Sequence, residues 1–193
     1  MNTDSQLVPD IGEWDDDKAA FLSRIAAVPA TLKIVLTTKH DCHLLERWIT
    51  QHARIVGLEN LVILDNMSGD PSVLELYEKY HSHVPIIRFR QHFETVRVPR
   101  LWPGLYRCLK DSCEFFTYLD TDEFLIHLRD DAYVSARRLL DVLRTRRAGE
   151  VIPGIWLTSV PGYDSRFRTG TYPVHFAPVL AWGKPIVRCS SFV

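Results

Sequence analysis

EFFTYLDTDEFLIH, residues Glu114 to His127, sets a short aromatic run directly against a knot of acids. Phe115 to Leu119 has the length and composition of a buried strand. Immediately beyond it stand Asp120, Asp122 and Glu123, three acids within four positions. Carboxylates crowded at the mouth of a buried strand repel one another and resist desolvation unless something positive meets them. A divalent cation, a basic side chain or a helix N-terminus would each answer. The working expectation is a metal site at the carboxyl end of a central strand.

Working outward, the same passage from apolar run to polar cluster occurs twice more. Leu32 to Leu36 leads into Thr37-Thr38-Lys39, and Leu61 to Leu64 leads into Asp65-Asn66-Met67-Ser68-Gly69-Asp70. Between them Leu44, Leu45, Trp48, Ile49, Ala53 and Val56 recur at helical spacing, and Gly57 ends the pattern. Asp70 and Pro71 suit the cap and first position of a helix whose apolar face is Val73, Leu74, Tyr77 and Tyr80. Val84 to Phe89 reads as a strand and Leu101 to Leu109 as a helix. After the acids, Ala136, Leu139, Leu140 and Leu143 mark another helix. Its end carries Arg144, Arg146 and Arg147, cations that complement the helix dipole without any ligand. Val151 to Leu157 is strand-like but broken by Pro and Gly, and the rest is loop-rich, with short apolar pieces at Val174 to Phe176 and Pro185 to Val187.

This alternation predicts an α/β fold, a Rossmann-like, mostly parallel sheet flanked by helices in a single domain over 31–193. Residues 1–30 read as an N-terminal extension with one short helix, where Asp15, Asp16 and Asp17 precede Phe21, Leu22 and Ile25 and Pro29 follows. Right-handed crossovers bring the carboxyl ends of parallel strands to one edge, where ligands bind. Thr38, Asp65 and Asp120 should therefore meet at one crevice.

A hydrophobic fraction of 46%, a charged fraction of 24% and a net charge of -1 describe a globular chain with no general attraction to nucleic acid. No apolar run approaches the roughly 20 residues of a transmembrane helix. Four cysteines without C-x-x-C spacing argue against structural zinc and a disulfide framework. The expected place is the cytoplasm, a peripheral position at a membrane being left open. His40, His43, Glu46 and His52 share one segment but lack the i, i+4 histidine pair of a zincin, so exposed helix positions account for them better than zinc. G-x-S-x-G, P-loop and G-x-G-x-x-G motifs are absent.

Asp120 and Asp122 offer hard oxygen ligands to Mn²⁺ or Mg²⁺, which take one or two protein carboxylates and complete their shell with water and phosphate oxygens. Further segments of the chain point the same way. Leu45, Arg47-Trp48, His52 and Gly57, followed by Asp65-Asn66, Ser68 and Asp70, then Tyr118 to Phe124 (YLDTDEF) and Trp182 to Arg188 (WGKPIVR), resemble in order the blocks of glycosyltransferase family 2-like and family 92-like proteins. The resemblance implies a GT-A fold and metal-dependent sugar transfer from a nucleotide diphosphate sugar to a glycan, lipid or protein hydroxyl, with inversion. Carried over, Thr38 and Asp65 would contact the nucleoside, and Asp120 the ribose or the metal shell. Asp122 would bind the metal, and Lys184 and Arg188 would steady the leaving diphosphate.

The general base is the least defined member, with Asp164 the candidate and a surface turn the competing reading. Arg47 stands where relatives carry an acid, and the chain ends shortly after Arg188, where relatives continue with a His-containing segment. A truncated or non-catalytic nucleotide-sugar-binding relative is thus the alternative. An Asp-x-Asp phosphatase is a third reading, although Glu123-Phe124 replaces its expected Gly-Thr.

Overall fold

The computed structural model describes residues 11–129, 132–134, 137–146, 151–154, 157–159, 176–178 and 183–191. Its centre is a row of parallel strands: β1 (Ala30–Thr38), β2 (Leu61–Asp65), β3 (Ile86–Arg88) and β4 (Cys113–Leu119). Two small antiparallel pairs lie outside this sheet, β5 (His127–Arg129) with β6 (Ala132–Val134), and β8 (Leu157–Ser159) with β9 (Phe176–Pro178). The remaining strands, β7 (Val151–Ile152) and β10 (Ile186–Arg188), extend the main sheet to the order β3-β2-β1-β4-β10-β7. β10 runs antiparallel to both neighbours. The architecture is α/β, a six-stranded, mostly parallel sheet flanked by helices.

Among the described residues, five helices cover the sheet: α1 (Trp14–Ala26), α2 (Cys42–Val56), α3 (Pro71–Tyr80), α4 (Pro103–Ser112) and α5 (Arg137–Arg144). Their ends follow local chemistry. Asp41 accepts from the Leu44 amide at 3.3 Å to start α2, and Gly57 ends it at φ 88°, a conformation a side chain would strain. Asp70 caps α3 by accepting from the Ser72 amide at 2.8 Å, with Pro71 at the first position.

Alternating strand residues feed two cores. Leu32, Ile34, Leu36, Ile63 and Phe115 pack with Trp48, Ile49, Val73 and Tyr77 on the α2, α3 and α5 face. Val35, Val62, Leu64 and Phe116 pack with Phe21, Ile25, Leu105 and Leu109 on the α1 and α4 face. Because both faces are covered, the central strands read as continuous apolar runs. The α1 helix, expected as part of an extension, shares the second core through buried Phe21 and Ile25. Just before it, the backbone docks on the outer strand: the Arg88 amide donates to Gly12 O at 3.0 Å, and Glu13 bridges to Arg88.

From β1 the chain winds outward to β2 and β3, then crosses back to place β4 on the other side of β1. That reversal opens a crevice between the carboxyl ends of β1 and β4. Among the described residues, no helix is long and apolar enough to cross a membrane.

Candidate functional site

The three polar clusters do converge. Thr38 and Asp65 are register partners at the ends of β1 and β2, and the Asn66 amide donates to Thr38 O at 2.9 Å. Across the switch point, the Thr121 hydroxyl donates to Thr38 Oγ1 at 3.0 Å. Two non-glycine residues in the left-handed region, His40 (φ 56°) and Met67 (φ 57°), turn the chain just beyond β1 and β2. Each costs about 1 kcal/mol or more and is held by its surroundings. The His40 amide donates to Ser68 Oγ at 2.8 Å, and the Gly69 amide donates to His40 Nδ1 at 3.2 Å, so the two loops are stapled together.

Asp120 is met by basic side chains. Arg97, from the 3-10 turn Phe93–Arg97 in the loop after β3, donates to its Oδ1, and Lys184 Nζ lies 2.6 Å from its Oδ2. Lys184 also reaches Glu123 Oε2 at 3.2 Å, and that oxygen accepts from the Asp120 amide at 2.8 Å. Two cations and two carboxylates thus close a compact, half-buried network. Asp122 stands apart from it, exposed, with no hydrogen bond or ion pair among the described residues.

Asp65 is occupied differently. Fully buried, it accepts from the Ser68 amide at 2.8 Å, the Ser68 hydroxyl at 2.5 Å and the Tyr77 hydroxyl at 2.8 Å, with Arg88 Nε at 3.7 Å. Burial, then the charge of Asp65, pushes the Tyr77 hydroxyl well above the ordinary tyrosine range, so it stays a donor. Asn66 extends the bracing by donating to Phe89 O at 3.1 Å and Gln91 O at 2.9 Å in the loop that carries Arg97.

A second brace holds the acid loop. His52 is buried in α2, with Nδ1 2.8 Å from Trp48 O and Nε2 accepting from the Leu125 amide at 3.0 Å. Its ring stacks on Phe124, centroids 5.9 Å apart, and Arg47 lies over the other aromatic partner of that contact at 5.4 Å from the Phe124 centroid. Burial lowers the His52 pKa to about 4, keeping the ring neutral so that it can accept from Leu125. This histidine is a clamp, and the zinc reading of its segment gains no support from it.

Arg188 is not brought to the crevice. It pairs with Phe115, five residues before Asp120, a separation of roughly 16 Å along the strand. There it packs over the Phe115 ring at 4.7 Å and donates to Arg146 O at 2.8 Å. Asp164 lies outside the described residues. Arg97 was not foreseen, because a lone arginine in a loop carries no motif; the crowding of acids at Asp120 was the one signal that a cation had to arrive.

Among the described residues, no three His, Cys, Asp or Glu side chains gather to hold a metal ion. The carboxylates at the crevice are hard oxygen donors of the type that Mn²⁺ or Mg²⁺ prefers. Asp122 is exposed, with no hydrogen bond or ion pair among the described residues, while each Asp120 oxygen is engaged by a cation and keeps a further lone pair. A cavity of about 680 Å³ opens at the opposite edge of the sheet, lined by Ala30, Asn60, Ser112 and Arg144, and touches none of these groups. No family model matches the chain, and no curated protein matches it.

Proposed function

We propose that the crevice binds a nucleotide diphosphate sugar on a GT-A-like frame and transfers the sugar, with inversion, to an acceptor hydroxyl. The observation that carries this reading is the meeting of Asp120 and Thr121 with Lys184 and Thr38 at the switch point of the sheet, with the exposed Asp122 next in the chain. Asp122, with Asp120 beside it, would hold Mn²⁺ or Mg²⁺, which would supply positive charge to neutralise a leaving diphosphate. Lys184 and Arg97 are kept extended toward the same place by Asp120, so their charge is pre-oriented. Thr38 lines the junction of β1 and β4. Asp65, sealed beneath it, acts on the nucleoside through the loops it braces.

Titration with nucleoside diphosphates, with and without Mn²⁺, tests the donor site. Equal affinity in both conditions for the folded protein would sink it. Asp122→Asn is expected to weaken Mn²⁺-dependent binding about tenfold or more while leaving the melting temperature unchanged, since that exposed carboxylate makes no hydrogen bond or ion pair among the described residues. Pairing of Asp120 with two cations favours a second reading, a nucleotide-sugar-binding protein without transfer activity. Slow hydrolysis of the donor would separate the two, because only a transferase activates the anomeric bond.

A further inference from the structure

Away from the crevice, two buried thiols face each other at the other end of β4. Cys113 is the first residue of β4, and Cys189 opens the 3-10 turn Cys189–Ser191 directly after β10. They are 9% and 3% exposed, and their sulfurs lie 3.6 Å apart. Both also approach the Leu109 carbonyl at the end of α4, at 3.1 Å and 3.6 Å. Cys42 and Cys108 are more exposed and belong to α2 and α4.

We propose that Cys113 and Cys189 form a reversible redox pair whose disulfide locks β10 onto β4. Closing from 3.6 Å to a bond of about 2.05 Å asks for a side-chain rotation and a small shift of the terminal turn. The pair shares its protons unequally. Cys189 is held below the usual thiol range by the hydrogen bond from Cys113, against the opposing effect of burial, with Arg188 and Lys110 adding to the lowering. Cys113 is raised by the same contact and by burial. Cys189 lies in a short turn and Cys113 within a strand of the main sheet, so Cys189 is the attacking thiol. Exposed by local opening of the short turn, it attacks a small disulfide and expels one thiolate. Cys113 then attacks the Cys189 sulfur and expels the second. One small disulfide is reduced to two thiols, which carry away the two protons that the protein loses.

The consequence reaches the crevice through β10. That strand rests on β4 through the pairs Val187 with Phe116 and Arg188 with Phe115. Lys184 precedes it and Cys189 follows it. A covalent tie at Cys189 adds an anchor to the segment that presents Lys184, whether or not the crevice transfers sugar.

The test is oxidation of the full chain by 2-hydroxyethyl disulfide under native conditions, followed by thiol titration and peptide mapping. Two thiols of the four should be lost, with a mass decrease of about 2 Da and a cross-linked peptide joining Cys113 to Cys189. The melting temperature should rise by roughly 5–10 °C and return on reduction with dithiothreitol. A variant carrying Cys42→Ser and Cys108→Ser keeps the buried pair and should behave identically, whereas Cys189→Ser should form no cross-link. Adducts confined to Cys42 and Cys108, or a cross-link that forms only in denaturant, would overturn the pair. A native cross-link without a rise in melting temperature would overturn the lock.

Discussion

Asp65 accepts three hydrogen bonds with no exposure, whereas the Asp120 side chain stands 34% exposed between two cations. Both are acids at strand ends, and a sequence presents them alike. What separates them is the identity of residues elsewhere in the chain: Tyr77 and Arg88 for one, Arg97 and Lys184 for the other. Asp65→Asn keeps the size of the side chain but turns one acceptor oxygen into a donor facing donors. A loss of about 2–3 kcal/mol is expected in denaturant unfolding, and a change below about 0.5 kcal/mol would contradict the brace. His52 makes a pH-dependent prediction. Its folded pKa of about 4 lies below the 6.5 of the unfolded chain, so the unfolded state binds the proton more readily. The stability associated with the neutral ring is complete above pH 6.5 and is lost as pH falls toward 4, amounting to about 3 kcal/mol. His52→Gln, which cannot take up that proton, should flatten the pH dependence of stability over this range. Lys33 shows the limit of reading residue by residue. It sits inside an apolar run, fully buried, because Nζ reaches Val28 O at 2.7 Å and Asn60 Oδ1 at 3.1 Å, and burial lowers its pKa.

At the scale of elements, β1, β2, β4, α2 and α3 follow from local pattern, since their apolar periodicity and caps lie within each segment. β10 does not. Three residues carry no periodicity, and the strand exists because β4 offers it an edge. The approach to β10 is shaped by Gly154: a Cβ there would meet Lys184 O at 2.4 Å, while the Gly183 amide donates to Gly154 O at 2.9 Å. Gly154→Ala should push the Lys184 backbone away from β7 and cost about 1–3 kcal/mol. Thermal melts measure that cost, and wild-type stability would remove the constraint. The position of Lys184 beside Asp120 thus depends on a glycine some thirty residues earlier, a dependence no local window contains.

For the whole molecule, the crevice follows from strand order, and strand order was legible only as a rule about parallel α/β sheets. That rule was enough to bring Thr38, Asp65 and Asp120 to one edge, but it could not say which loops supply the cations. It also left α1 outside the domain, although Phe21 and Ile25 fill the second core. The docking of Gly12 and Glu13 along β3 has a separate consequence. β3 is the outermost parallel strand, and its outward backbone groups would otherwise be a template for another chain. A chain starting at Trp14 should retain its helical signal in dilute solution yet show light scattering that grows with concentration. A strictly monomeric product would assign the segment no such role. Those two residues act less as a tether than as a selvedge, the finished border that keeps one sheet from being woven into the next.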